Sequence, residues 1–244
     1  MNCVELDPNS LERIVPDELR SEDRTGAETL RLSTERYEFA SQFIARGRVL
    51  DLACGVGYGT RILTDGSEAA CGLGVDLAES AINYANQRYA NMRTTYQAHD
   101  AMGFEDPEGF ETIVSIETIE HLPDPATFVA RVSKMVLPGG TLIGSVPVTP
   151  SVDANPHHLH DFSERSFRRL FEPHGFREVD RLEQDQPFGL FAVLSRSESR
   201  MKDMRENLLG YYVRHPGALV RRGLSTLRHG FKNRYLTVAW RKSP

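Results

Sequence analysis

Cysteine is scarce in this sequence, which has three among its 244 residues, at positions 3, 54 and 71. The number is odd and no two cysteines stand in a C-x-x-C spacing, which argues against a disulfide framework. Reduced thiols of this kind are typical of the cytoplasm, and we therefore expect a cytoplasmic protein. Acidic residues scattered through positions 1–20 also argue against a secretory signal peptide.

Long apolar runs are absent as well. No stretch approaches the roughly 20 residues that a membrane-spanning helix needs, and there is no internal repeat or low-complexity tract. The net charge of -5 and the isoelectric point near 5.9 disfavour a general nucleic-acid binder but leave room for a local basic patch. The length suits one soluble α/β domain with an elaboration.

What the sequence does contain is a glycine-rich loop between a strand and a helix. Residues 49–52 are typical of a short buried strand, and Gly55, Gly57 and Gly59 follow at alternate positions. A helix can begin near Thr60. This order lets backbone N–H groups approach a bound nucleotide closely, although a tight turn without any ligand uses the same glycines.

The glycine loop is the first of several motifs, and the next ones are acidic residues at the ends of predicted strands. The loop is G-V-G-Y-G rather than the dinucleotide fingerprint G-x-G-x-x-G, and Asp51 lies on the strand before it. A second apolar strand ends at Asp76, 21 positions after Gly55, which is near the roughly 20-residue offset at which a carboxylate meets a ribose diol. Asp76 is also suited to cap the following helix. An Asp-Ala pair at 100–101 follows a third strand at 94–97.

Two more signatures complete the series. A fourth strand at 110–116 leads into E-T-I-E-H-L-P-D-P at 117–125, and L-P-G-G at 137–140 is typical of a turn before a fifth strand at 141–146. In this order the motifs resemble those of class I S-adenosylmethionine (SAM) methyltransferases. The resemblance implies an α/β Rossmann-like sheet of seven strands with helices on both faces. It also implies that the last strand is antiparallel. The candidate sixth and seventh strands are 177–182 and 235–240, and we expect a helical insertion between them.

The same resemblance implies that SAM is the cofactor. The adenine amino group is then expected at Asp100 and the adenine ring at the backbone of Ala101. A helix at 28–45 precedes the glycine loop and is expected to roof the cofactor through Tyr37, whose ring is equally suited to core packing. The candidate cofactor contacts are Tyr37, Asp51, Gly55, Gly57, Asp76, Leu77, Asp100, Ala101 and Glu117.

Carboxylates and imidazoles gather after the fourth strand. Glu117, Glu120 and His121 stand at i, i+3 and i+4, which would place them on one face of a helical turn. The segment N-P-H-H-L-H-D-F at 155–162 supplies three more histidines. Such a set suits a divalent ion, with Mg or Mn favoured by carboxylates and Zn or Co allowed by imidazoles. Local packing of these side chains without a metal is the alternative.

This pairing resembles three groups of methyltransferases. Small-RNA 2′-O-methyltransferases and catechol O-methyltransferases of quinone biosynthesis share E-x-x-E-H with a later histidine, and enzymes of bacterial glycan and secondary-metabolite pathways show N-P-x-H. The N-P-x-H form favours His158, whereas the quinone-pathway spacing favours His157. The resemblance implies the metal ligands Glu117, Glu120, His121 and His158. The candidate proton acceptors are His121, His157 and His160.

A basic segment lies between the expected sixth and seventh strands. Residues 196–234 carry ten Arg or Lys against three acids, a local charge of +7 in an acidic chain. Val220, Leu224, Leu227 and Phe231 recur at helical spacing within it. We expect an amphipathic cap over the substrate cleft. The alternatives are contact with an anionic membrane, with an anionic or lipid-linked acceptor, or with a second copy in a homodimer.

These inferences combine into one methyltransferase domain over residues 1–244. Its parts are an N-terminal arm and helix (1–45), a cofactor-binding core (46–195), the basic insertion (196–234) and the last strand (235–244). The predicted activity is O-methylation of a hydroxyl on a small molecule or glycan of the sugar, diol or catechol type, assisted by a divalent metal. The alternatives are a metal-free C- or N-methyltransferase and a non-catalytic SAM-fold adaptor.

Overall fold

The structure, a computed structural model, describes residues 13–19, 24–187 and 204–244. Much of the predicted N-terminal arm (1–12 and 20–23) and part of the predicted insertion (196–203) therefore lie outside it. The strands are β1 (Arg48–Leu52), β2 (Cys71–Asp76), β3 (Thr94–Ala98), β4 (Phe110–Ile116), β5 (Val136–Pro147), β6 (Phe176–Pro187) and β7 (Lys232–Lys242). The helices are α1 (Arg24–Ser41), α2 (Tyr58–Asp65), α3 (Glu79–Arg88), α4 (Pro125–Met135), α5 (Glu164–Arg169), α6 (Leu208–Arg214) and α7 (Pro216–His229).

The strands form one mixed sheet in the order β3-β2-β1-β4-β5-β7-β6. Neighbours from β3 to β5 run parallel, whereas β7 is antiparallel to both β5 and β6. This confirms the predicted Rossmann-like sheet, its antiparallel last strand and the helices inserted before that strand. Because the chain order reverses between β1 and β4, a crevice opens there at the carboxyl ends of the strands, where α/β proteins bind ligands.

Helices cover both faces of the sheet and bury its central strands. Phe128 of α4 and Phe167 of α5 belong to the core on one face, and Leu63 of α2 belongs to the core on the other. The indole of Trp240 stacks on the ring of Phe171 with a centroid distance of 3.8 Å. Packing of this kind has little free volume, so it holds the strand ends from which the functional side chains emerge.

Several predicted boundaries differ from the structure, and β6 and β7 both extend beyond the predicted ranges of 177–182 and 235–240. Helix α1 begins at Arg24 and ends at Ser41, earlier than the predicted range of 28–45 at both ends. The turn expected at 137–140 lies inside β5, where the pairing with β4 shifts between Val136 and Thr141. Gly139 has a φ of +72° in this bulge, a conformation that glycine adopts without a steric penalty. The turn residues therefore bend the strand and do not end it.

Helices α6 and α7, which we call the helix pair, are anchored to the loop after β5. Asp153 of this loop is almost fully buried and accepts hydrogen bonds from Arg222 and, at 2.6 Å, from the Tyr212 hydroxyl. Arg222 also donates to the Pro150 carbonyl at 2.6 Å. Burial alone would raise the pKa of Asp153, but the hydrogen bond and charge of Arg222 outweigh it and lower that pKa. A charged, buried contact thus fixes the orientation of the helix pair.

The apolar stripe predicted for the insertion faces solvent. Its side chains are all exposed, namely Val220, Leu224, Leu227 and Phe231. The opposite side of α7 carries Ala218, which is buried, and Ser225 and Thr226, which face a cavity. The insertion therefore covers the cleft with its polar side and leaves its apolar side outward. None of the helices in the described ranges is long and apolar enough to cross a membrane.

Candidate functional site

A cavity of about 1030 Å³ opens at the carboxyl ends of the parallel strands. Its walls are the loops after β1 to β5, the inner side of α1 and the polar side of the helix pair. A volume of this size lies at the upper end of the range for ligand sites. It therefore has room for a donor molecule and an acceptor side by side.

Two glycines of the loop after β1, Gly55 and Gly57, have different surroundings. Gly55 lines the cavity at a φ of +57°, and a Cβ built on it would meet nothing within 4 Å. A Cβ on Gly57 would lie 2.6 Å from Ala85, so this glycine permits close packing of the loop. Gly57 does not line the cavity, and its predicted contact with the cofactor stays a prediction. Gly55 is the glycine whose backbone is open to a ligand.

Asp76 is held firmly at the cavity wall. Its Oδ2 accepts from the Gly55 amide at 2.9 Å, and its Oδ1 accepts from the Ala78 amide at 2.9 Å and from Arg13 at 3.1 Å. Helix α3 has Ala78 as its N-cap, without a side-chain cap bond. The alternative of Asp76 as the helix cap is therefore wrong. The carboxylate instead ties the glycine loop to the end of β2 and faces the cavity.

Asp51 lies beneath the glycine loop rather than in the cavity wall. It is fully buried, accepts a hydrogen bond from Thr60 Oγ1 at 2.7 Å, and lies 3.5 Å from the Tyr37 hydroxyl. Burial raises the pKa of Asp51 to about 7, although the two hydrogen bonds oppose this shift. The predicted direct contact of Asp51 with the cofactor is therefore corrected to support of the loop. Tyr37, in contrast, does line the cavity.

The far wall of the cavity is formed by residues after β2 and β3. Leu77, Asp100 and Ala101 all line it, as predicted for the cofactor site. The Asp100 carboxylate accepts a hydrogen bond from the Met102 amide at 2.9 Å, which holds the side chain in a short turn. Together with Gly55 and Asp76, these residues place one backbone turn and two carboxylates along a single wall.

Glu117 turns away from the helical face that the sequence predicted for it. Its backbone has a φ of +50°, and the 3-10 turn that follows begins only at Ile119. One carboxylate oxygen accepts a hydrogen bond from Ser145 Oγ at 2.7 Å and lies 3.8 Å from Arg36. Glu117 lines the cavity, but it does not join the other predicted metal ligands.

Glu120, His121 and His158 do come together. Each offers one ligand atom, and these atoms lie within 4.8 Å of one another, the one such group among the described residues. The Glu120 side chain is fully buried, with His121 Nε2 4.0 Å from its Oε1. The His121 and His158 rings meet edge to face with centroids 4.6 Å apart. Three of the four predicted ligands thus come together, and Glu117 lies apart from them.

The second nitrogen of each imidazole has its own partner. His121 Nδ1 lies 3.2 Å from the His157 carbonyl oxygen, and His158 Nδ1 lies 2.7 Å from Ser151 Oγ. Partners of this kind orient metal-binding imidazoles and select their tautomer. Burial, with His121 and His157 nearby, lowers the pKa of His158 to about 3, so its ring is neutral at pH 7. A neutral ring is the form that binds a metal.

The remaining two histidines are in different surroundings. His157 is exposed and lines the cavity, whereas His160 does not line it. His160 Nε2 is within 2.9 Å of the Leu122 carbonyl oxygen, so its predicted role as a proton acceptor is corrected to a local contact. The Leu159 and His160 amides both donate to the Glu120 carbonyl. These bonds join the two loops and bring His158 to Glu120.

Several residues of the site carried no signal in the sequence. Arg13, Arg36, Ser145 and Ser151 all contact predicted site residues, yet none belongs to a motif. Three of these contacts act across a long stretch of chain, and the one between Ser145 and Glu117 spans 28 positions; Ser151 lies seven positions from His158. Only the folded sheet brings such residues to the motifs.

Comparison with known proteins agrees with this geometry. Residues 50–144, which include the glycine loop, Asp76, Asp100 and the turn after β4, match the family described as "Methyltransferase domain". This part of the chain is thus similar to methyltransferase domains. A protein of Mycolicibacterium smegmatis named "Probable S-adenosylmethionine-dependent methyltransferase" is 29% identical to the chain over 157 residues, which cover 60% of each chain.

Other relatives of the methyltransferase domain share shorter segments. A ubiquinone biosynthesis O-methyltransferase of Leptothrix cholodnii is 35% identical over 38% of this chain and 41% of its own length. Among solved structures, the N-methyltransferase NodS of Bradyrhizobium japonicum WM9, in complex with S-adenosyl-L-homocysteine, has a TM-score of 0.61 at 17% identity, over 92% of this chain and 90% of NodS. The chain thus spans 60% or less of these two sequence relatives, and the structural likeness concerns the fold.

If Asp76 binds the ribose of SAM as the sequence predicts, replacing it by Asn should weaken SAM binding by about 1–3 kcal/mol, because charge-assisted hydrogen bonds are lost. Titration calorimetry with SAM measures the change. Asp106→Asn is a matched control, since Asp106 also pairs with an arginine, Arg48 at 2.6 Å, but does not line the cavity. If folded Asp76→Asn protein binds SAM with the affinity of the wild type, the Asp76 carboxylate only stabilises the glycine loop.

Proposed function

We propose that this protein transfers the methyl group of SAM to a hydroxyl oxygen of a small molecule or glycan that carries a neighbouring oxygen, with a divalent cation at Glu120, His121 and His158. The observation that carries the proposal is the position of this donor group. It lies in the same cavity as Gly55, Asp76 and Asp100, so an acceptor held near it would lie beside the methyl donor.

The residues of the cofactor wall fit SAM. Two carboxylates at the ends of β2 and β3 suit the ribose diol and the adenine amino group, and the open backbone at Gly55 gives space for close approach. Tyr37 and Leu77 supply apolar surface beside them. SAM supplies an activated methyl group on a sulfonium. The protein's task is to align the acceptor oxygen with it and to remove the proton.

The donor group fits a borderline divalent cation better than magnesium. With Glu117 turned to Ser145, the set holds two imidazoles and one carboxylate, and imidazoles favour Mn, Co or Zn over Mg. A cation held there would lower the pKa of an acceptor hydroxyl and hold two adjacent oxygens. Ser151 and the His157 carbonyl orient the two rings for that purpose.

His157 is the residue we assign to proton removal. It lines the cavity next in sequence to His158 and is exposed, so its imidazole exchanges protons with solvent. Methyl transfer forms one carbon–oxygen bond and breaks the carbon–sulfur bond of SAM, and the hydroxyl proton passes to the imidazole. His121 is less suited to this work, because it is a member of the donor group.

Support for an oxygen acceptor also comes from the relatives. Several are named ubiquinone biosynthesis O-methyltransferase, at 27–35% identity over part of the chain. The name describes O-methylation by those proteins, and we extend only the class of atom to this chain.

Removal of divalent cations should abolish methyl transfer and leave SAM binding intact. The full chain is stripped with a chelator, then supplied with Mn, Co, Zn or Mg in turn. Catechols, sugars and diols are screened as acceptors by mass spectrometry, with the corresponding monohydroxy compounds as matched controls. Turnover of catechols or diols restored by Mn, Co or Zn fits the proposal. Full turnover in the stripped protein, or a methyl group on nitrogen or carbon, contradicts it.

A further inference from the structure

The helix pair leaves an apolar face in solvent. Of the eleven exposed large hydrophobic side chains in the described ranges, seven lie between positions 209 and 231. On α7, Val220, Leu224 and Leu227 follow one another at +4 and +3, which is a single stripe along the helix. On α6, Leu209 and Val213 stand one turn apart and are 81% and 83% exposed. Scattered surface leucines need no explanation, but a concentration of this kind marks an interaction site.

The stripe is held outward by the anchored side of α7. Arg222 reaches Asp153 and the Pro150 carbonyl on the side that also carries buried Ala218. Turning the stripe inward would break this buried contact and expose the Asp153 carboxylate. The outward position of the apolar side chains is therefore a fixed feature of the fold.

The helix pair itself carries charge of one sign, although Asp161 from the loop before α5 lies 3.8 Å from Arg221. Residues 207–231 contain four arginines and no acid. With about 100° of rotation per residue, Arg221 and Arg228 lie on one flank of the stripe formed by Val220, Leu224 and Leu227. Arg221 and Arg228 are both exposed, as is Arg214 of α6. An apolar stripe beside arginines is the pattern of a helix that lies in the interface of an anionic membrane.

We propose that the outer face of the helix pair docks on an anionic membrane surface, with the apolar stripe among the lipid headgroups and the arginines against lipid phosphates. A second copy of the chain is a poorer occupant. Twofold pairing would bring the same arginines together on a face whose own segment has no acid to compensate them. Phe231 is exposed and also lines the cavity, so docking would place the membrane beside the cavity wall. This proposal does not depend on the acceptor or on a metal.

Flotation of the full chain with vesicles tests the proposal. We expect binding to vesicles of phosphatidylcholine mixed with phosphatidylglycerol, and much weaker binding to phosphatidylcholine alone. Replacing both Leu224 and Leu227 by Glu should lower the partition coefficient by more than about tenfold, since apolar area is lost and repulsion is added. Arg221→Ser should lower it by about fivefold. Added salt should weaken binding of the wild type.

Met92→Glu is the matched control. Met92 is fully exposed on the turn before β3, outside the helix pair, so this variant should bind as the wild type does. Circular dichroism and SAM affinity check that each variant folds. If the double variant fails these checks, the proposal is tested by the single variants Arg221→Ser and Arg228→Ser and by the salt series.

Three results would overturn the proposal. The first is recovery of the wild type free of anionic vesicles, and the second is a folded stripe variant that binds as well as Met92→Glu does. Size-exclusion chromatography could also reveal a dimer that the stripe variant dissolves, which would make the face a contact between copies. SAM affinity should be unaffected in every variant, so failure of membrane docking is distinguishable from failure of methyl transfer.

Discussion

Replacing Glu120 by Gln is expected to lower methyl-transfer turnover by about a hundredfold or more while SAM affinity stays near the wild-type value. Residues that only orient metal ligands already contribute about 10- to 100-fold, and loss of a ligand should reach or exceed that range. Glutamine keeps the size of the fully buried side chain but removes the negative charge beside His121 and His158. Steady-state kinetics, metal content by mass spectrometry and SAM calorimetry measure the three effects separately.

Glu117→Gln is the control for this experiment. It removes a carboxylate from the same cavity, but one that faces Ser145 and Arg36 rather than the histidines. We expect the Glu117→Gln protein to bind the proposed cation as the wild type does. If Glu117→Gln released the metal and Glu120→Gln retained it, the donor set would be the one predicted from sequence spacing. Wild-type turnover in the Glu120→Gln protein would remove that residue from the reaction.

Replacing Arg222 by Ala should lower the free energy of unfolding by about 2–4 kcal/mol, because it leaves the charge of Asp153 buried without its main partner. Asp153 is 2% exposed, and the Tyr212 hydroxyl is the remaining side-chain donor described for it. Urea denaturation monitored by circular dichroism gives the change. Hydrogen exchange should locate it in α7 and in the loop after β5.

The neighbouring arginine provides the comparison. Arg221 carries the same charge one position earlier, but it is exposed and its nitrogen is 3.8 Å from the Asp161 carboxylate. Surface pairs of this kind contribute less than about 1 kcal/mol, so Arg221→Ala should be nearly neutral for stability. Equal losses in the two variants would mean that the buried contact with Asp153 does not hold the helix pair.

The cofactor end of the molecule could be predicted from the sequence because its determinants are local. A strand, a glycine turn and a helix follow one another within residues 48–65, and steric limits on non-glycine residues leave few alternatives for such a turn. In the structure the Gly55 amide donates to the Asp76 carboxylate at 2.9 Å, so the two motifs that lie 21 positions apart in the sequence are in contact. The family resemblance supplied the antiparallel last strand, which no local pattern indicates.

The part of the cavity around Glu120, His121 and His158 could be predicted only in part. The i, i+3 and i+4 spacing of Glu117, Glu120 and His121 assumed an α-helical turn, whereas the backbone at Glu117 is left-handed. Ser145, on a different strand, holds that conformation through hydrogen bonds to both the amide and the carboxylate. The choice of His158 over His157 depends on two loops joined through the Glu120 carbonyl. Neither interaction has a signature in the sequence.

The sequence also could not predict which way the apolar stripe faces. Hydrophobic periodicity predicts a helix and identifies one of its faces, but it does not say what that face meets. The answer lies in the contact between Asp153 and Arg222, which are 69 positions apart. A short buried acid in a loop thus decides which side of the helix faces the cavity and which side faces solvent.

The antiparallel pairing of β6 with β7 has a consequence for how such proteins diversify. Pro187 and Lys232 are paired at the open end of these strands, so the segment between them is anchored at two neighbouring points of the sheet. The entropic cost of closing such a segment grows only with the logarithm of its length. Insertions of very different size can therefore be exchanged there without altering the strands that carry Gly55, Asp76 and Asp100. A chimaera in which the segment between β6 and β7 comes from a methyltransferase should bind the same methyl donor. Its acceptor molecules and its docking surface should change.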